Sequence, residues 1–167
     1  MENEQYAKLT EKMIEYDKGS PKRIQHFLKV HAFARMIGIE EGLDEETMYV
    51  LETAALVHDI GIRNALATYG SENGKLQESI GPLEANKLLN EAGGYTSSQL
   101  ERIEYLIAHH HTYDDIQGID YQILVEADFL VNLFENSVKY KGILAADKRI
   151  FKTSAGKRIL ATMYQEE

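Results

Sequence analysis

The chain has no cysteine among its 167 residues, and its only prolines are Pro21 and Pro82. The first absence excludes disulfides, thiolate metal ligands and a cysteine nucleophile, leaving histidine and carboxylate as the strong ligands a metal could find. Hard-to-borderline cations (Fe, Mn, Mg, Zn or Ni) suit that donor set. There is no run of about 18 apolar residues, and Met1-Glu2-Asn3-Glu4 has neither a basic start nor an apolar stretch, so the expectation is a soluble cytoplasmic protein without membrane span or signal peptide. Positive charge is also short. Against 27 Asp and Glu stand 18 Lys and Arg, a net charge of -9, which argues against long contacts with a nucleic-acid backbone.

What the chain does have is apolar periodicity of helical type nearly everywhere, which predicts an all-α fold. Its length suits one domain over 1–167 that buries a core without staples. An amphipathic helix is expected over 3–17, then Ser20 as N-cap with Pro21 at the first helical position, the helix running to about Glu41 before Gly42. Asp44 caps the third helix, which carries Thr47 to Val57 into His58-Asp59. Tyr69-Gly70-Ser71-Glu72-Asn73-Gly74-Lys75 reads as a loop before a helix at about 78–92, which Gly93-Gly94 end. Thr96 with Gln99 forms a capping box for a helix leading to His109-His110-His111. Tyr121 to Asn136 reads as a buried helix, and helices at about 138–148 and 154–165 close the domain.

Histidines and aspartates interrupt these apolar patterns. His58-Asp59 ends the stretch Ala54-Ala55-Leu56-Val57, where an unpaired carboxylate would be costly without a cation partner. Taken alone the pair also reads as a histidine on a helix C-terminus and an aspartate opening a turn before Gly61. His26 shares a helix face with Val30, Phe33 and Ile37, so it points inward, whereas His31 lies roughly 140° around the helix and reads as an ordinary exposed or half-buried histidine. Asp128 sits inside Val125-Glu126-Ala127-Asp128-Phe129-Leu130-Val131 and calls for a partner. Successive histidines fan out on a helix, so at most two of His109, His110 and His111 face one cavity; the competing reading is a solvated histidine-rich helix end.

In this order the residues resemble the HD-domain metal-dependent phosphohydrolase superfamily over roughly residues 20–136, with its helical bundle. Arg23, His26 and Val30 fit the first ligand pattern, His58-Asp59-Ile60-Gly61 the name-giving pair, and Ala127-Asp128 the last ligand. The resemblance implies a divalent metal, one or two ions per chain, on His26, His58, Asp59 and Asp128. His110 and His111 look like the extra ligands of dinuclear members. The other extra histidine is absent from Gln77-Glu78-Ser79-Ile80-Gly81-Pro82, where Glu78 is the oxygen-ligand candidate, so mononuclear and dinuclear centres both stay open. Ile62 stands where cyclic-dinucleotide phosphodiesterases have lysine, and their Gly-Tyr-Pro signature is missing, which sets the chain apart from them.

The implied activity is cleavage of a phosphomonoester or phosphodiester bond in a nucleotide or other small phosphorylated metabolite by metal-activated water. Asp59 is the candidate to orient or deprotonate that water, and His110 or His111, if not a ligand, to protonate the leaving oxygen. Arg63 and Lys75 are candidate phosphate contacts beside the His-Asp loop, with Lys148, Arg149, Lys152 and Lys157 as remoter ones. Two other readings are an HD-type di-iron oxygenase and a noncatalytic binding module stapled by metal. No nucleic-acid polymer or membrane partner is expected.

Overall fold

The apolar stripes read from the sequence become nine α-helices in the computed structural model, which describes residues 3–71 and 73–164 and has no strand among them. They are α1 (Asn3–Tyr16), α2 (Pro21–Glu40), α3 (Glu45–Val57), α4 (Gly61–Tyr69), α5 (Gly74–Ala92), α6 (Ser97–His109), α7 (Ile119–Glu135), α8 (Tyr140–Arg149) and α9 (Ser154–Met163). α2 packs on both α3 and α7, and α6 packs on α3; α5 lies on α6, α4 on α5, and α9 against α7. Leu51 and Leu56 of α3, Ile103 and Leu106 of α6, and Leu124 and Leu130 of α7 are fully buried between them.

Local signals set most of the boundaries. The Asp44 carboxylate accepts from Thr47 N at 2.8 Å, and Thr96 and Gln99 form the reciprocal capping box. Ser20 and Pro21 do begin α2, but the Ser20 side chain makes no capping bond. Two elements depart from expectation. The segment after His58-Asp59 is the helix α4, closed by Gly70 in the left-handed region (φ 63°), and α5 begins at Gly74, about a turn earlier than 78, so Pro82 lies inside it. The expected loop thereby shrinks to a few residues, of which Glu72 lies outside the described residues, as does Gln165 of the expected last helix. Met1 and Glu2 of the start also fall outside them.

Two buried polar groups pin the frame. Glu126 of α7 accepts from Lys152 N at 2.6 Å, Thr153 N at 2.9 Å and Gln122 Nε2 at 2.8 Å, tying the α8–α9 connection to the helix that carries Asp128. His31 is buried, not exposed, with its Nε2 3.1 Å from Glu52 Oε1. No helix among the described residues is long and apolar enough to cross a membrane.

Candidate metal centre

Four elements bring their histidines and aspartates to one point. His26 comes from the second turn of α2, His58 and Asp59 from the end of α3, His110 and His111 from the end of α6, and Asp128 from the middle of α7. His26 Nε2 lies 3.1 Å from Asp128 Oδ1, 3.3 Å from His58 Nε2 and 3.5 Å from Asp59 Oδ2. His58 Nε2 lies 3.5 Å from the same Asp59 oxygen and 3.6 Å from Asp128 Oδ1. The other Asp59 oxygen, Oδ1, is 3.4 Å from His110 Nε2. Two ligand groups result, His26 with His58 and Asp59, and Asp59 with His110 and His111, so that Asp59 belongs to both.

The far side of each ring fixes its tautomer. His58 Nδ1 is 2.9 Å from Ala55 O and His110 Nδ1 is 2.7 Å from Ile107 O, acceptors that require a proton on Nδ1. His26 Nδ1 is 3.1 Å from Glu135 Oε2, and Lys29 Nζ holds the other Glu135 oxygen at 2.5 Å. Each Nε2 is therefore the nitrogen turned to the cluster, where it offers a lone pair once its proton is displaced, the arrangement that metal-binding histidines share.

A cation fits this donor set on three observations. His110 Nε2 is buried without any hydrogen-bond partner. Ligand atoms about 2.0–2.2 Å from one ion at tetrahedral angles stand about 3.3–3.6 Å apart, close to the separations around His26 and His58. The cluster also holds protons in place of positive charge. Burial lowers the His58 pKa, but the Asp59 charge and then Asp128 outweigh it and push the ring up to about 9. Burial raises Asp59 and Asp128, yet His58 with His110, and His26 with His58, hold the two carboxyls well below the usual range. A divalent ion replaces such protons on binding.

His111 differs from its neighbours. Its Nε2 is 2.9 Å from Gln77 Oε1, and the Tyr113 hydroxyl is 3.5 Å from its Nδ1. Burial, and next the His110 charge, press its pKa down to about 4, so the ring is neutral at pH 7 and carries a single N–H. Gly74, the first residue of α5, lies so close that an added Cβ would come within 2.9 Å of this ring. Gly61 allows a similar approach of α4 to α5, where a Cβ would be 2.9 Å from Gln77 O.

The remaining candidates lie elsewhere. Glu78 does not join either ligand group: its Oε1 accepts from His111 N at 3.1 Å and Thr112 Oγ1 at 2.9 Å, while its Oε2 takes Lys75 Nζ at 2.7 Å. It braces the His111 backbone from behind. Lys75 is thereby committed to Glu78 and to Thr112 Oγ1 at 2.7 Å. Arg63 donates to Tyr16 O and lies over the Tyr16 ring at 5.6 Å, away from the cluster. His109 packs on the Tyr105 ring, so two of the three consecutive histidines face the centre.

The cluster opens into a cavity of about 280 Å³, which none of Arg63, Lys75, Lys148, Arg149, Lys152 and Lys157 lines. Its cationic rim is Lys22 and Arg23, in the first turn of α2. Arg23 Nε is anchored on Asp17 Oδ1 at 2.9 Å. These two escaped the reading of phosphate contacts, although both stand three and four residues before His26 and so share its helix face. Gln77 and Asn132 line the cavity as well.

Comparison with known proteins agrees with this arrangement. The chain matches the family model described as HD domain over residues 23–136. The fold is similar to the crystal structure of a predicted HD superfamily hydrolase from an uncultured Thermotogales bacterium, at 24% sequence identity and a TM-score of 0.63, covering 96% of this chain and 83% of that one. No curated protein matches the chain. The family match takes in His26, the His58-Asp59 pair and Asp128, and extends over more than half of the sequence: the chain belongs to the HD domain family.

Proposed function

We propose that the chain is a metal-dependent phosphohydrolase acting on a small phosphorylated metabolite, with a dinuclear centre whose two sites share Asp59. The observation that carries this reading is the convergence of the His26, His58 and His110 Nε2 atoms on Asp59 and Asp128, each ring locked from behind by an acceptor. His26, His58 and Asp59, with Asp128 beside them, would hold one ion, and Asp59, His110 and His111 the other. Such ions lower the pKa of bound water and neutralise charge on a phosphoryl oxygen. Asp59, with Oδ2 toward His26 and His58 and Oδ1 toward His110, would orient the attacking water. Arg23, with its guanidinium anchored by Asp17, and Lys22 receive the phosphate at the rim, in place of Arg63 and Lys75. With His110 and His111 serving as ligands, neither is assigned as the acid. The single domain over 1–167 and its motif core at 20–136 are part of the same reading.

The test is phosphate release from a panel of phosphoesters by metal-stripped protein reconstituted separately with Mn and Fe. Release that needs both metal and Asp59 is expected; silence across the panel with metal bound overturns the reading. A second reading is favoured by one observation. Asp59 with His110 and His111 forms a second group, which the two irons of an HD-type di-iron oxygenase require, while the absence of the extra histidine from Gln77-Glu78-Ser79-Ile80-Gly81-Pro82 counts against that enzyme. Iron-dependent oxygen uptake without phosphate release is its signature.

A further inference from the structure

The mouth of the metal cavity carries polar side chains that the fold itself does not use. Ser20 lines it without capping α2, and among the described residues Ser20, Lys22 and Asn136 make no side-chain hydrogen bond or ion pair. Asn132 commits its Nδ2 to Asp128 Oδ1 at 2.8 Å and keeps its carbonyl oxygen as an acceptor. Ser20 and Lys22 belong to the start of α2, Asn132 and Asn136 to the end of α7, so the groups converge from two helices that pack together. Among the described lining residues Ile62 is the sole aliphatic side chain, and none is tyrosine, phenylalanine or tryptophan.

That lining suits one kind of molecule better than another. A nucleobase is held largely by stacking on an aromatic face, each stack worth roughly five- to 150-fold in affinity. The rings in this cavity's lining are the imidazoles of His26 and His111, which belong to the metal groups, and Tyr113, whose hydroxyl is 3.5 Å from His111, stands outside the lining. Its volume of about 280 Å³ lies at the small end of the roughly 300–1,000 Å³ of sites for drug-sized ligands. Ions and their water reduce it further, at about 30 Å³ per water. Hydroxyl groups, by contrast, both donate and accept, and amide and hydroxyl side chains answer both roles.

Resting on the phosphohydrolase reading, we infer that the substrate is the phosphoester of a small polyhydroxylated, non-aromatic skeleton, of the sugar-phosphate or polyol-phosphate class. Its phosphate lies toward the metal groups and Arg23. Its hydroxyls are read by Ser20, Asn132 and Asn136, with Lys22 at the rim. A site that hydrogen-bonds substrate hydroxyls rejects analogues that lack them, because its polar groups are then left unpaired.

The experiment compares kcat/KM of Mn-loaded full-length protein for sugar and polyol phosphates with that for nucleoside monophosphates, in wild type and in Asn136→Leu. Asn136 is exposed, so the variant keeps the fold, which circular dichroism verifies. The sugar and polyol phosphates are expected to lead by about tenfold or more, and Asn136→Leu to raise their KM by about tenfold and narrow the gap. Nucleoside monophosphates cleaved as well or better overturn the inference and leave the phosphohydrolase reading standing. An unchanged preference in Asn136→Leu overturns the hydroxyl reading at this rim. Metal-loaded protein that releases phosphate from neither class overturns both.

Discussion

His26 and His31 stand five residues apart on α2, at 7% and 6% exposure, and each has a carboxylate at 3.1 Å. Their surroundings diverge from there. His31 meets one carboxylate, Glu52, which Arg35 Nη1 also reaches at 2.6 Å, and its ring packs 4.7 Å from that of Tyr6. The buried negative charge there is answered by the protein's own cation. His26 has one such answered carboxylate, Glu135 with Lys29, behind its Nδ1, but its Nε2 faces another imidazole and two further carboxylates, Asp59 and Asp128. A buried histidine–carboxylate contact is therefore no mark of a metal site by itself. The mark is lone pairs converging in excess of the protons and cations available to answer them.

The contrast is broken or sharpened by substitution on its two sides. The largest effect belongs to Asp59→Ala, which takes a ligand from both groups: turnover falls on the order of 10³-fold or more with helical circular dichroism retained, and wild-type phosphate release from this variant would break the account. Glu135→Gln comes next. It weakens the acceptor behind His26 without emptying the space, and by calorimetry metal affinity falls roughly 10- to 100-fold; unchanged affinity would mean the ring needs no such support. On the His31 side, Glu52→Gln should cost about 1–3 kcal/mol in urea unfolding, since His31 and Arg35 lose their shared acceptor charge, and leave metal binding intact.

That same group sets a pH dependence. Burial raises the Glu52 carboxyl, but hydrogen bonds from His31 and Arg35, among others, bring it down to about 2 from an ordinary value of 4.5. A depressed folded-state pKa stabilises the fold above the unfolded value and ceases to do so as pH falls through the folded one. Stability should therefore decline from pH 4.5 toward 2, and Glu52→Gln should flatten that part of the curve. An unchanged slope would place the acid sensitivity elsewhere. The smallest effect is that of His31→Ala on metal: none is expected, and loss of metal would erase the distinction between the two histidines.

The two histidines also show what the sequence could convey. Helical geometry separates His26 from His31 directly, because 3.6 residues per turn sends them to different faces. It says nothing of how deeply the second is buried, which depends on Glu52 and Tyr6 arriving from other helices. His58-Asp59 and Asp128 were legible because polar groups in apolar runs need a reason to be there. α4 was not, since its nine residues begin at a glycine and show only a short apolar pattern. Glu78 and Lys75 looked available because adjacency in sequence does not reveal that they answer each other and Thr112. Arg23 and Lys22 were the readable cations, on the face of His26, whereas Arg63 turned to Tyr16.

The most direct test of the central claim, that Asp59 is shared between two ion sites, is calorimetric titration of stripped protein with Mn(II). The account predicts two ions per chain in the wild type, one after His110→Ala, and neither bound tightly after Asp59→Ala. Saturation of the wild type by one ion, or undiminished binding in Asp59→Ala, would contradict it.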